Sequence, residues 1–198
     1  VQREKDRVRI MVDMRLEGSP GEGGQVYLRK DIRVNGIHVL ASDLVGVVNA
    51  VFFDAEDIQL VLGPPATRRR YLDILICQLD RTYLRALQRY QKVVYQRNHL
   101  LRLLRERRAQ PREMDFWNEA IVKEGGYITL RRHQVVRELR GLVGELHCRL
   151  TEAQGELTLD YIPSIPLEGM EQEAIHLSFE RTLESGLERD LAMGSSQW

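Results

Sequence analysis

Val51 to Asn98 reads VFFDAEDIQLVLGPPATRRRYLDILICQLDRTYLRALQRYQKVVYQRN, and a change of pattern inside it decides the fold. An apolar, strand-like run (Val51, Phe52, Phe53) meets an acidic turn at Asp54, Glu56 and Asp57. Gly63-Pro64-Pro65 then interrupts the chain, because proline fixes φ and offers no backbone N–H. Three arginines (Arg68, Arg69, Arg70) follow, and beyond them apolar residues recur at helical spacing. A β-type and a helical half therefore meet within fifty residues, which makes the chain α+β.

Upstream of the stretch the pattern is that of strands. Val8 to Leu16 alternates apolar and polar residues with period two, as a half-buried strand does. Ser19 to Gly24 is a turn cluster, Gln25 to Val34 alternates again, and Asn35-Gly36 marks a two-residue hairpin turn before Ile37 to Leu40. Val45 to Phe53 is apolar enough for a strand buried on both faces. Downstream the helical period takes over. Thr67 is placed to cap a helix over 68–79, and Asp80 a second one reaching about Arg108. The apolar stripe of that second helix is Tyr83, Leu87, Tyr90, Val94, Leu101 and Leu104, with Arg97 in the slot between Val94 and Leu101. Gln110-Pro111 breaks it. A third helical stretch over 113–151 carries Trp117, Ile121, Ile128, Val135, Leu139, Leu142 and Leu146, loosened at Gly125-Gly126. The spacing predicts a return strand at Leu157 to Tyr161 and a final helix from Glu171 to Leu191. Two long helices joined by a short break pack antiparallel, so the expected order is β first, a helical hairpin, then β and α. The expected divisions are a β-rich part over 1–66, a helical arm over 67–152 and a returning strand and acidic helix over 153–198.

Length and composition set the bounds. The 198 residues are 43% hydrophobic and contain no 18-residue apolar run, which argues against a membrane span and allows one sizeable core. No secretory leader pattern opens the chain. Cys77 and Cys148 stand alone in helical patterns, which fits reduced thiols and a cytoplasmic setting. The formal charge is zero, yet residues 67–112 hold 13 Lys/Arg against 3 Asp/Glu while 151–198 hold 2 against 10. A basic arm is thus hidden by an acidic tail.

The wording of the opening stretch resembles the RecF family of DNA replication and repair proteins, whose members carry a phrase like FxPEDLxLVxGxPxxRRxFLD and then a helix with LxxYxxVLxQRNxLL. The matching residues are Phe53, Glu56, Asp57, Val61, Gly63, Pro65, Arg68, Arg69, Leu72 and Asp73, then Leu87, Tyr90, Val94, Gln96, Arg97, Asn98 and Leu101. The resemblance implies an ABC-type ATPase head with an inserted helical lid, related to the heads of chromosome-maintenance proteins. It further implies ATP and Mg2+ in the whole protein and an ATP-dependent homodimer that acts on DNA, at single-strand/double-strand gap junctions. A RecR-type mediator partner, help in loading the recombinase, and a place in recombination, replication restart and the SOS response go with it. The start at Val1 and the Gly194-Ser195-Ser196 approach to the family's GPHRDD phrase are read as the marks of an internal segment. Such a segment would hold neither the P-loop nor the signature and Walker B residues, and alone would hydrolyse no ATP.

The candidate site residues fall into three groups. By resemblance, Phe53, Asp54, Glu56 and Asp57 occupy the strand-to-lid junction that couples nucleotide state to the arm in ABC heads, although no glutamine stands at the turn and Gln59 comes late. Arg68, Arg69 and Arg70 open a helix, where the macrodipole disfavours cations. Either a carboxylate partner such as Glu56, Asp57 or Asp73, or a phosphate, is needed to explain them. Arg81, Arg85, Arg89, Lys92, Arg102, Arg105, Arg107 and Arg108 lie largely off the apolar stripe and form the DNA-binding candidates. With few aromatics among them, phosphate-tracking contact is expected rather than base stacking. The alternative for these cations is a solvated face, or pairing with the acidic 151–198 segment. Ser19-Pro20-Gly21-Glu22-Gly23-Gly24 lacks the Gly-Lys-Ser/Thr ending of a phosphate loop. The five scattered histidines carry no metal-ligand spacing. Two other functions compete with the leading one: a helical-hairpin module that binds protein partners, and the head of a different chromosome-maintenance ATPase.

Overall fold

The computed structural model describes residues 8–18, 26–152 and 154–196. Two compact units divide between Asp54 and Ala55, ahead of the boundary expected at 66/67.

The first unit is a three-stranded antiparallel sheet of β1 (Ile10–Glu17), β2 (Tyr27–Val34) and β3 (Ile37–His38), in that spatial order. The hairpin between β2 and β3 turns on Asn35 and Gly36, whose φ angles of 51° and 84° are the positive values a two-residue primed turn requires. Pairing of Ile10 with Val34 and Glu17 with Tyr27 fixes the register. Alternation then gives Val12, Met14, Leu16, Leu28 and Ile32 one face, with Lys30 opposite Met14 among them, and the remaining charged residues the other. On that charged face Arg15 pairs with Asp13, Arg29 with Glu17 and Arg33 with Asp31. A one-turn helix, α1 (Ala41–Leu44), follows. The strand expected over Val45 to Phe53 does not form. Only a bridge from Val45 to Val48 appears, and residues 49–54 have no regular structure. A strand buried on both faces needs a paired edge and a layer on each side, and among the described residues nothing pairs with this run. The Ser19 to Gly24 turn cluster lies outside the described residues.

The second unit is helical. A 3-10 turn (Ala55–Ile58) runs into α2 (Gln59–Leu62), and then come α3 (Pro65–Leu79), α4 (Arg81–Arg105), α5 (Met114–Leu150) and α6 (Gln172–Met193). α3 begins two residues before the expected cap: Pro64 is the N-cap and Pro65 the first helical residue. Proline suits that position, since its φ is already helical and no N–H is wanted there, so Thr67 lies inside the helix. Asp80 separates α3 from α4 and caps the latter, its Oδ1 accepting the Thr82 and Tyr83 amides at 2.8 and 3.1 Å. α4 ends at Arg105 rather than Arg108, because Arg107 adopts a left-handed φ of 59°.

α4 and α5 pack antiparallel. Contacts descend one helix as they ascend the other: Arg97 meets Asn118, Arg89 meets Glu124, and Asp80 meets Tyr127. α6 covers both. Ile121, Val122, Ile175, Phe179 and Leu183 form one buried cluster with Ile165, and Leu100, Leu101 and Met114 form another flanked by Leu187 and Leu191. Gly125 and Gly126 do not loosen α5. They let α6 approach it: a Cβ at Gly125 would stand 2.6 Å from the Phe179 ring, and one at Gly126 would stand 2.6 Å from the His176 ring. At about 1.5 Å per residue, the 37-residue α5 outruns the 25-residue α4. Leu142 and Leu146 therefore emerge exposed from the stripe the sequence marked as buried, and Leu150 beyond them is exposed too. Residues 157–161 do not form the expected strand. With no strand edge beside them among the described residues, they run as an extended strap along α5, where Arg140 donates to the Leu159 carbonyl at 2.7 Å and pairs with Asp160.

Candidate nucleic-acid interface

α4 carries the site, and its sequence explains its two faces. Tyr83, Ala86, Arg97, Leu100 and Leu101 are buried. Arg81, Arg85, Gln88, Lys92, His99 and Arg102, spaced three, four or seven apart along the opposite side, are all outside that buried set, with Arg81, Arg85, Lys92 and Arg102 exposed. These four make a stripe of cations about 30 Å long at helical rise, on a helix held rigid by α5 and α6. Among the described residues none of the four has a carboxylate partner within ion-pair distance.

Arg89 leaves this set. Its Nε and Nη2 donate to the two carboxylate oxygens of Glu124 at 2.7 and 2.9 Å, a bidentate clamp between α4 and α5. Arg105, Arg107 and Arg108 lie exposed where α4 ends, with Arg108 turned back on Glu106 at 3.1 Å.

The arginines at the start of α3 part company. Arg68 Nη1 donates to the carbonyls of Gly63, at 2.9 Å, and of Leu60, at 3.3 Å. It sits where α2 ends, and the C-terminal carbonyls of a helix favour a cation, so no carboxylate is needed to explain it. Arg69 and Arg70 are exposed and have no ion pair among the described residues. Asp73, a candidate partner for these arginines, is taken instead by Arg132 of α5, which donates to both its oxygens at 2.9 and 2.8 Å. The buried Tyr83 hydroxyl donates to the same carboxylate at 2.5 Å. Burial pushes the Tyr83 phenol up, and the nearby Asp73 adds to that. Arg69, Asp73, Leu87 and Tyr90 also line one cavity of about 290 Å³ together with Arg132 and Tyr161. Burial raises the Tyr90 phenol to about 12.

Phe53 and Asp54 end the first unit, and Glu56 and Asp57 lie in the first turn of the 3-10 helix that begins the second. Phe53 is 84% exposed. No phosphate cradle is built at the helix starts beside the arginines: α3 opens on two prolines without N–H groups, and the first free amides of α4 are already held by Asp80. Among the described residues no three His, Cys, Asp or Glu side chains are grouped to hold a metal ion, and no helix is long and apolar enough to cross a membrane.

A further polar cluster was invisible in the sequence except for one of its members. Arg97, which reads as a polar anchor in the stripe, is fully buried, as is Asp190 of α6. Arg97 Nη1 donates to Asp190 at 2.8 Å and to the Ser196 hydroxyl oxygen at 2.6 Å, and its Nε donates to Asn118 at 2.9 Å. Next to it, Asn98 Oδ1 accepts both the Ser196 amide and the Ser196 hydroxyl at 2.9 Å. No spacing rule links residue 98 to residue 196, so only the adjacency of Arg97 and Asn98 in the QRN phrase hinted at a shared task.

No protein-family model matches the chain. Curated relatives do. The DNA replication and repair protein RecF of Chloroflexus aggregans is 40% identical over 184 residues, covering 87% of this chain and 46% of the relative. RecF of Roseiflexus castenholzii is 40% identical over 163 residues, covering 80% and 41%. The chain thus spans a little under half the length of the curated relatives it matches. Among solved structures, that of the recombination mediator protein RecF with ATPrS in the RecFOR pathway superposes with a TM-score of 0.80 at 23% identity, over 98% of this chain and 53% of that one. The corresponding structure with ATP gives the same TM-score at 22% identity.

Proposed function

This chain belongs to the RecF family of DNA replication and repair proteins, and we propose that it supplies the arm through which the whole protein meets the phosphate backbone of DNA. The observation that carries the reading is the exposed stripe of Arg81, Arg85, Lys92 and Arg102, without carboxylate partners among the described residues and fixed on a helix whose other face is packed. Four such cations match about four phosphates along one flank of a duplex, and counterion release then makes affinity fall steeply with salt. Contact of this kind carries no sequence preference.

Within the same reading the whole protein is an ATP-dependent DNA-binding dimer working in the cytoplasm at gap junctions, beside a RecR-type mediator, to help load the recombinase. ATP and Mg2+ are then held by the rest of its length, and Phe53 to Asp57 join that part to the arm. Arg69 and Arg70, exposed at the start of α3, extend the basic surface, while Arg68 braces α2.

Duplex binding by the full-length protein, measured against salt with Arg81, Arg85 and Lys92 changed to Ala together, tests the reading. The slope of log affinity against log salt is expected to shrink by roughly 0.9 for each phosphate no longer neutralised. An unchanged slope removes the arm from the DNA interface. One observation favours a second reading, a protein-binding role for the arm: Leu142, Leu146 and Leu150 form an exposed apolar edge at the far end of α5. A triple change there to Gln that leaves DNA binding intact but abolishes capture of the mediator protein would assign that edge to it.

A further inference from the structure

Arg97 sits on the face of α4 turned away from the basic stripe, Asn98 lies on the flank one turn before Arg102, and both reach the chain where it leaves α6. Gly194 ends α6 in the left-handed conformation, φ 68°, and a Cβ there would come within 3.1 Å of the Arg102 stem. Two residues later Ser196 is held three times from α4: its hydroxyl oxygen accepts from Arg97, and its amide and hydroxyl donate to Asn98. Asp190, one turn before the end of α6, is tied to the same guanidinium. Removing two full charges from water is costly, and such a pair is weak support for stability by itself. Its geometric result is specific: the exit of the chain from the helical unit is fixed to the helix that carries the stripe.

We propose that Arg97 and Asn98 are positioning residues, which tie α4 to the end of α6 and so hold the basic stripe preorganised for DNA. The inference rests on the functional reading given above and deepens it. Preorganised groups bind more tightly because less freedom is lost on association, while the number of phosphates met is set by the stripe alone.

The test uses the full-length protein with Asn98→Ala, which removes the acceptor for Ser196 without disturbing the buried Arg97–Asp190 pair. Duplex affinity is expected to fall about five-fold through weaker preorganisation, with the salt slope unchanged because the same phosphates are met. Asn98→Asp, which keeps an oxygen acceptor at the same atom, is expected to restore affinity. Wild-type affinity in Asn98→Ala overturns the proposal. So does a loss of affinity accompanied by a smaller salt slope, or one that Asn98→Asp fails to rescue while thermal unfolding stays at the wild-type midpoint. Absence of duplex binding by the wild-type protein sinks the functional reading, and the positioning role with it. A salt slope that the Arg81, Arg85 and Lys92 changes leave at its wild-type value sinks the reading of the arm as the DNA surface, and the positioning of the stripe with it, whereas wild-type affinity in Asn98→Ala sinks the positioning role alone.

Discussion

Asp80 shows what a single side chain contributes when three helices meet on it. Its Oδ1 caps α4, while its Oδ2 accepts from the Tyr127 hydroxyl at 3.2 Å and pairs with Arg131 at 3.2 Å. Burial alone favours the neutral acid, but the amides of Tyr83 and Thr82, the Tyr127 hydroxyl and the Arg131 guanidinium outweigh it and hold the carboxyl below its ordinary value. A folded pKa below the unfolded one means that the stabilisation is complete above the unfolded pKa, about 3.9, and disappears as pH falls through the lower folded value. Urea unfolding of wild type and Asp80→Asn between pH 3 and 7 is therefore expected to show a gap at neutral pH that narrows below about pH 4. A gap that widens towards acid would contradict the assignment. The capping role of Asp80 was legible in the sequence, because a cap is a local device. Its ties to Tyr127 and Arg131 were not, since they depend on where α5 passes.

Among the elements, α5 separates what pattern can say from what packing decides. The sequence marks its length and its stripe, yet reads Gly125-Gly126 as a weak point, because glycine lowers helix propensity by about 1 kcal/mol relative to alanine. Packing reverses that reading. Gly125 lies under Phe179 and Tyr90, where an added methyl has no room. Gly141, on an exposed part of the same helix, has nothing within 4 Å of its would-be Cβ. Gly125→Ala is expected to lower stability by about 1–3 kcal/mol through overpacking. Gly141→Ala should instead raise it by up to about 1 kcal/mol. Thermal unfolding of the two variants separates them by opposite signs, and a shared sign would refute the close-approach argument. The same contrast explains Arg89. Its spacing puts it with the other cations of α4, but Glu124, 35 residues away in sequence, claims it.

For the whole molecule, the zero net charge conceals a basic 67–112 and an acidic 151–198. The two do not simply cancel by contact: the acidic α6 reaches the basic α4 through the buried Arg97–Asp190 pair, and the stripe itself stays open. The division between the units follows an exposed stretch without regular structure, with Phe52 and Phe53 80% and 84% exposed. Exposed irregular backbone is where proteases cut first. Brief chymotrypsin treatment of this 198-residue chain is expected to cleave at Phe52 or Phe53 and leave a helical piece whose circular dichroism and cooperative melting persist. Primary cleavage inside α4 or α5, or loss of the melting transition after the cut, would show that the helical unit does not stand by itself.

Residue order alone is enough to establish the family, the α+β class, the Asn35-Gly36 hairpin, the order of the long helices and the basic character of α4. Each is written in residues near one another, through period, turn chemistry and caps, or in a phrase dense enough to be matched. Folding in three dimensions was needed to settle which cations stay exposed and which are clamped, that Asp73 belongs to Arg132, that Asn98 holds Ser196, and that Val45 to Phe53 finds no sheet among the described residues. Those outcomes depend on partners tens of residues away, brought together by the crossing of α4, α5 and α6. A pairing of that kind leaves no periodic trace in a single chain, because either residue would satisfy its own helix equally well with a different neighbour.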